Sequence, residues 1–365
     1  MLYIIVNPAS KSGLGRKRFA LLKNEFNKNH IVYEVFFTEK KYGAGKCIKT
    51  ILERIDRDKT KNPVIAVLGG DGTVNETVNA LYPRTDVAIA YLPTGSSNDL
   101  ARALEVSPDP VEFVKHYRVW LTKNKNRDTE IKTSSGIVSS TDSGINKDIK
   151  KGINENTDKD TDNSIDITKD KHTDLGLLTD ETSPAKKKRA FAVSCGIGLD
   201  AAVCKETNNS VIKDILNRFH LGKLSYVAIA VKQILSAKQT SCDITLADQS
   251  SHHFEKVLFI VTMIQPYEGG GIKMAPMADG NDGLFDVMVV SNLHPLRAFY
   301  LLPMAFFGKH VNSRCVHFFK TESLTIHTKD AMTVHIDGEY AGELNQIQLN
   351  CKKNMLSFIC FPYPA

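Results

Sequence analysis

Gly69-Gly70-Asp71-Gly72-Thr73 is the segment of this chain best suited to chemistry. It follows an apolar run, 64–68, that reads as a strand buried on both faces. Beyond it Val74, Val78 and Leu81 recur at helical spacing, so a helix packs back on the sheet and points its unpaired first-turn N–H groups at the loop. Such a helix end attracts phosphate, and Gly69, Gly70 and Gly72 can take positive φ and admit close backbone approach. Asp71 would repel a bare phosphate. A divalent cation bridging carboxylate and phosphates removes that conflict, as in phosphoryl transfer. The same five residues also suit a glycine-rich turn in which Asp71 only caps the helix.

The elements that must position this loop alternate between strand and helix. An apolar run over 2–6 enters Asn7-Pro8-Ala9-Ser10-Lys11-Ser12-Gly13, and Phe19, Leu22 and Phe26 follow at helical spacing. A strand over 31–37 ends at Thr38, a helix carries Ile48, Ile51, Leu52 and Ile55, and a fourth apolar run over 87–92 ends in Pro93-Thr94-Gly95-Ser96-Ser97-Asn98-Asp99. This alternation predicts a parallel sheet with ligands at the carboxyl ends of its strands, where the polar, glycine-bearing loops converge. From 190 onward the texture is β-rich. Strands are expected over 190–194, 242–247, 257–264, 284–290, 316–320, 324–327, 333–336 and 346–349, with helical pieces near 221–237 and 295–307. Asp337-Gly338 reads as a hairpin turn between two of these strands.

Between the halves, 123–189 is dominated by Lys, Asp, Thr, Ser, Asn and Gly and contains no aromatic residue. It reads as a flexible surface insertion that buries too little to offset its ordering entropy. Its Asp-rich run lacks the glycine and terminal glutamate of an EF-hand loop, and the basic cluster 186–189 reads as a solvated charge run. The expected organisation is therefore 1–122, the insertion 123–189, a β domain over 190–340, and a segment 341–365 that is a candidate to pack back on the first domain.

With 365 residues, 42% of them hydrophobic, the chain can bury a sizeable core. Its formal charge of +6 suits an anionic partner such as a nucleotide or a membrane surface. The seven cysteines show no C-x-x-C pair, which points to a reduced, cytoplasmic protein without a zinc site. No stretch reads as a signal peptide or a membrane span.

Gly69 to Glu76 and Leu92 to Arg102 together resemble the signature of the diacylglycerol kinase catalytic domain. Gly196-Ile197-Gly198-Leu199-Asp200-Ala201, Gly269-Gly270-Gly271, Ala275-Pro276, the run from Asp282 to Val287 and Asp337-Gly338-Glu339 extend the likeness to soluble bacterial lipid kinases of the diacylglycerol and sphingosine kinase superfamily. The resemblance implies an α/β + β fold: an N-terminal phosphofructokinase-like α/β nucleotide-binding domain and a C-terminal antiparallel β-sandwich, with ATP in the cleft between them. It implies that Asn7, Pro8, Ala9, Ser10, Thr38, Gly69, Gly70, Asp71, Gly72, Thr73, Gly95 and Ser96 hold the nucleotide, with Asp71 acting through Mg2+. Glu339 would be the general base, Asp71 and Asp200 would complete the catalytic set, and Asp282 with the main-chain oxygens of Asp279 and Leu284 would hold a structural magnesium.

Implied partners are a lipid substrate, diacylglycerol first, reached by peripheral contact with the inner face of the membrane, and no nucleic acid. A homodimer is left open. Two departures stand out: Lys11-Ser12 precede the glycine of the first loop, and Gln265 stands where relatives often have asparagine. A sphingoid-base or other lipid alcohol kinase, an NAD kinase-like phosphotransferase and a non-enzymatic nucleotide-responsive module are the alternatives. The chain lacks the second Asn-x-Gly-x-x-Gly-Phe-Leu motif of NAD kinases.

Overall fold

The computed structural model describes residues 1–39, 43–134, 169–209 and 236–361. In the first half, strands β1 (Leu2–Val6), β2 (Tyr33–Phe37), β3 (Val64–Gly69) and β4 (Ala88–Pro93) pair in parallel in the order β2-β1-β3-β4. Helices cover both faces, which is why β1 and β3 are apolar at every position. On one face α1 (Ser10–Lys28) and α5 (Pro110–Ser134) bury Leu22, Phe26, Phe113 and Tyr117. On the other, α2 (Gly43–Asp58), α3 (Asp71–Leu81) and α4 (Asp99–Ala103) bury Ile48, Ile51, Val74, Val78 and Leu100. From β1 the chain runs outward to β2, then returns to β3 on β1's other side. This reversal opens a crevice between the loops after β1 and β3.

The second half is antiparallel: β5 (Lys169–Asp180), β6 (Lys188–Phe191), β7 (Ser194–Gly198), β8 (Thr240–Leu246), β9 (Ser251–Met263), β10 (Phe285–Ser291), β11 (Val316–Thr321), β12 (Ser323–Ile336) and β13 (Glu339–Cys360). Helix α6 (Leu199–Asn209) follows β7, and α7 (Pro295–Phe306) follows β10. Alternation along β10 separates two cores. Phe285, Val287 and Val289 face the interior shared with β7, β9, β12 and β13, while Met288 and Val290 face the core beneath α7.

One strand joins the halves. β13 leaves the hairpin with β12, pairs with β5, and ends with Ser357, Phe358 and Ile359 in parallel register with Ala88, Ile89 and Ala90 of β4. Phe358 enters the core under α2 and α3, and Ile359 the core under α1 and α5. The strand thus crosses the 340/341 position where the pattern places a boundary.

The structure corrects the expected insertion over 123–189. Helix α5 continues to Ser134, and β5 lies inside the stretch with residues 173–179 buried against β13. Polar residues disguise this strand, because they bond inside the fold. Asp174 accepts from Gly283 N at 2.6 Å and Asn354 N at 2.7 Å, and Thr173 donates to the Gly280 carbonyl at 2.7 Å. Residues 135–168 lie outside those described. The separate strands expected over 324–327 and 333–336 are one strand, β12, whose register shifts between His327 and Met332. The expected helix over 221–237 falls outside the described residues except for its last two positions.

Because Phe358 is fully buried where the halves share a strand, Phe358→Ala should cost about 3–5 kcal/mol. Urea unfolding followed by Trp120 fluorescence and by far-ultraviolet circular dichroism should shift together to lower denaturant. Loss in only one signal would show that the halves unfold apart.

Candidate active site

The crevice between β1 and β3 is lined by loops held to one another. Asn7 donates from Nδ2 to Thr73 Oγ1 at 3.1 Å, and its backbone N–H reaches the Leu68 carbonyl at 2.8 Å. Ser10 Oγ lies 2.7 Å from Thr94 Oγ1 and 3.0 Å from the Asn7 carbonyl oxygen, to which it donates. Thr38 is buried at the end of β2, its N–H on the Val6 carbonyl at 2.9 Å. Lys11, Ser12 and Gly13 have φ of 40°, 56° and 91°, so the regular turns of α1 begin only after them. The two extra residues before the loop glycine are absorbed as this left-handed run.

The glycines of the central loop work by close approach rather than by positive φ. None of Gly69, Gly70 and Gly72 lies in the left-handed region, contrary to the expected freedom. A Cβ at Gly70 would lie 2.9 Å from Gly95 Cα, one at Gly95 would lie 2.5 Å from Gly70 Cα, and one at Gly69 would strike Thr73 at 2.4 Å. The loops after β3 and β4 therefore touch backbone to backbone. Asn98, at φ 52°, closes the second loop by accepting from Gly95 N at 2.9 Å and donating to the Gly95 carbonyl at 3.1 Å. Beside it a cavity of about 480 Å³ is lined by Pro93, Ser96, Ser97, Asn98 and Arg102.

Asp71 opens α3 and accepts from Leu100 N at 3.4 Å, in the first turn of α4. Burial, then the Asp99 charge, push its carboxyl up to about 6. Asp99 is itself held by Arg102 at 2.7 Å and by Gly270 N at 2.9 Å, which ties α4 to the loop after β9. A crowded carboxylate beside a glycine cradle and two helix N-termini fits phosphates with a divalent cation, whose charge would relieve Asp71.

The opposite wall is the β12–β13 hairpin. Asp337 (φ 48°) and Gly338 (φ 79°) form the two-residue turn that an Asp-Gly pair favours. The buried Asp337 carboxylate accepts four bonds: from Asn75 Nδ2 at 2.8 Å, and from the N–H groups of Ala192, Val193 and Ser194 at 2.9, 2.9 and 3.0 Å. Asn75 also donates to the Ala190 carbonyl at 3.2 Å, and one turn later Asn79 brackets Ala190 with bonds of 2.8 Å to its N–H and carbonyl. This clamp brings Glu339 to the first turn of α3, where a Cβ on Gly72 would lie 3.1 Å from Glu339 Oε1.

Behind the hairpin lies a group that sequence reasoning passed over. His335 is fully buried, with Nε2 at 2.9 Å from Asp200 Oδ2 and 3.0 Å from Glu268 Oε1, while Gly338 N donates to Nδ1 at 3.1 Å. Nδ1 thus accepts from the Gly338 N–H and Nε2 is the ring's donor, bonded to Asp200 Oδ2 with Glu268 Oε1 alongside. Burial, then the Asp200 charge, push the Glu268 carboxyl up to about 7. Asp200 thus acts on the hairpin through His335. Gly196 makes room for this, since a Cβ there would lie 1.9 Å from Asp200 Oδ2. His335 and Glu268 carry no sequence signal, but the i, i+4 pair Asn75 and Asn79 does mark a polar edge on α3.

The residues expected to hold a structural magnesium, Asp279, Asp282 and Leu284, share the turn before β10. Asp282 uses Oδ2 on Lys320 Nζ at 2.7 Å and Oδ1 on Leu284 N at 2.8 Å, and the Asp279 carbonyl takes Asp282 N at 3.4 Å. An ammonium already supplies the positive charge in this turn.

Comparison with known proteins agrees with this geometry. Residues 1–126 match the diacylglycerol kinase catalytic domain, and 193–360 match the YegS C-terminal NAD kinase beta sandwich-like domain. Residues 1–126 thus carry a diacylglycerol kinase catalytic domain. The chain is a kinase. YtlR of Bacillus subtilis, whose name places it among the lipid kinases, is 25% identical over 93% of both chains, and a diacylglycerol kinase of the same organism is 25% identical over 93% of this kinase and 90% of its own length. The crystal structure of a diacylglycerol kinase from Bacillus anthracis shares the fold, with a TM-score of 0.61, 17% identity and coverage of 99% of this chain and 97% of that one. A yeast NADH kinase shares it more distantly, at a TM-score of 0.50 and 10% identity over 100% of this chain and 84% of its own.

Asp71 titrates higher folded than unfolded, so its ionisation destabilises the free protein by an amount absent below about pH 4 and complete above about pH 6. Asp71→Asn should therefore stabilise the ligand-free chain by about 2–3 kcal/mol at pH 8 and change little at pH 4. Urea midpoints at the two pH values test this, and a destabilised variant at pH 8 would contradict it.

Proposed function

We propose that this kinase transfers the terminal phosphate of ATP to the hydroxyl of a lipid, diacylglycerol being the first candidate, at the inner face of the membrane. The single observation that carries the reading is the position of Glu339, held by the Asp337 clamp against the first turn of α3, across the cleft from the Gly70–Gly95 contact. The first sheet is read as phosphofructokinase-like, with the nucleotide in the crevice at its β1/β3 reversal. Asn7, Pro8, Ala9, Ser10, Thr38, the loop from Gly69 to Thr73, Gly95 and Ser96 would hold it, backbone N–H groups meeting the phosphates.

Asp71 would hold Mg2+, which when bound supplies charge neutralisation for the phosphates. Glu339 accepts the proton of the attacking hydroxyl as its oxygen bonds to the terminal phosphorus and the bond to the ADP oxygen breaks. A carboxylate in place orients the hydroxyl and takes the proton late. Asp200 and Glu268 steady His335, and His335 fixes Gly338, so the base keeps its aim.

Incubating the purified chain with γ-labelled ATP and a panel of diacylglycerol, sphingosine, other lipid alcohols and NAD identifies the acceptor by which compound gains label. Diacylglycerol is expected, and label on NAD alone would replace the reading with an NAD kinase. Glu339→Gln should lower kcat by at least about a hundredfold while leaving nucleotide binding, measured by calorimetry, unchanged. Retained turnover in that variant would remove Glu339 from the base role.

A further inference from the structure

Helix α7 presents an apolar face that nothing in the described fold covers. Its inward side, with Ala298 and Ala305 buried and Phe299 and Leu301 half-buried, packs on Met288 and Val290 of β10. Its outward side carries Leu296, Tyr300, Pro303 and Phe307 at intervals of four, three and four residues, one stripe along the helix. Leu296 is 62% exposed, Tyr300 72% and Phe307 74%, with Phe306 beside them. Large apolar side chains clustered in water mark a contact surface.

The charges around the stripe select the occupant. Between Asp286 and Glu322 the chain contains no acidic residue, whereas Arg297, Lys309 and Arg314 are exposed around α7. Lys273, also exposed, joins them because its N–H bonds the Ala305 carbonyl at 3.1 Å. A second copy docking about a two-fold axis would set these cations against themselves. An anionic lipid surface complements both the apolar stripe and its basic rim.

The face is also mechanically joined to the cleft. Lys273 N–H holds the end of α7, and His310, just beyond it, donates from Nε2 to the Met274 carbonyl at 3.0 Å. The same loop carries Gly270, bonded to Asp99 in the loop after β4, and Glu268, which meets His335. A surface gripping α7 therefore lies one short loop from the residues that line the cleft.

We infer that α7 lies in the headgroup layer of an anionic membrane, inserting Leu296, Tyr300, Phe306 and Phe307 between the lipids while Arg297, Lys309, Arg314 and Lys273 meet their phosphates. This rests on the lipid kinase reading for its purpose but not for its test. The helix docks parallel to the surface, since its opposite side is fixed in the core of the second half.

Co-sedimentation of the full chain with vesicles tests the inference, using phosphatidylcholine alone and phosphatidylcholine containing about one third phosphatidylglycerol. The wild type should bind the anionic vesicles and release them as salt rises. Tyr300→Ser with Phe307→Ser should weaken binding by at least about tenfold, and Arg297→Glu or Lys309→Glu by at least about fivefold each. All sites are exposed, so thermal midpoints should stay unchanged, and phosphorylation of a short-chain diacylglycerol dissolved as monomer should continue at the wild-type rate. Absence of wild-type binding to anionic vesicles overturns the inference, as does undiminished binding by the variants. Loss of a dimer by sedimentation velocity in the Tyr300/Phe307 variant, with vesicle binding intact, would assign the face to a second copy instead. If no lipid gains label in any assay but vesicle binding follows the pattern above, the kinase reading fails and the docking surface stands.

Discussion

The four-fold acceptance at Asp337 is the interaction on which the site depends. One buried carboxylate gathers Asn75 from the first half, three successive backbone N–H groups at the entry to β7, and the hairpin that carries Glu339. Removing it would leave those donors unpaired in a dry place, a cost that grows with each one. The arrangement also explains why α3 is polar along one edge. Asn75 and Asn79 replace apolar contacts with directional bonds, so the helix that opens at the glycine loop is registered against the second half in rotation as well as distance.

Around that fixed point the cleft concentrates charges that the fold would be more stable without. Asp71 is held near Asp99, and Glu268 near Asp200, in each case with one carboxyl raised by burial and by its neighbour. Sites that bind cations or polyanions commonly tolerate such strain in their free state, and binding then relieves it. Glycine has the complementary role. At Gly70, Gly95 and Gly196 the absence of a Cβ lets backbone or carboxylate occupy space that any side chain would take. That is a requirement of proximity, distinct from the positive φ that shapes Lys11 to Gly13 and the Asp337-Gly338 turn.

Much of this was legible in the sequence, for identifiable reasons. The parallel half announces itself through apolar runs covered on both faces, and its glycine loops mark the strand ends where ligands gather. The Asp-Gly turn was readable as a hairpin, and its motif context pointed to Glu339. Strand β5 was hidden because Thr173 and Asp174 satisfy backbone groups from Gly280, Gly283 and Asn354, so local composition resembles a polar linker. The single length of β12 was hidden by its bulge. His335 and Glu268 escaped because their meaning is a meeting of β12 with the loop after β9, about which spacing says nothing. The Lys320 contact to Asp282 escaped in the same way, since β11 reaches that turn in space and not in sequence.

These features make one claim about where chemistry occurs: the clamp and the paired glycine loops define a slot whose reactive end lies between the first turn of α3 and Glu339. A crystal structure of the full chain with magnesium and a non-hydrolysable ATP analogue tests it most directly. The account predicts phosphates against the Gly70–Gly95 contact and the terminal phosphate between Gly72 and Glu339. A nucleotide seated outside the β1/β3 crevice, or one whose terminal phosphate points away from Glu339, would contradict it.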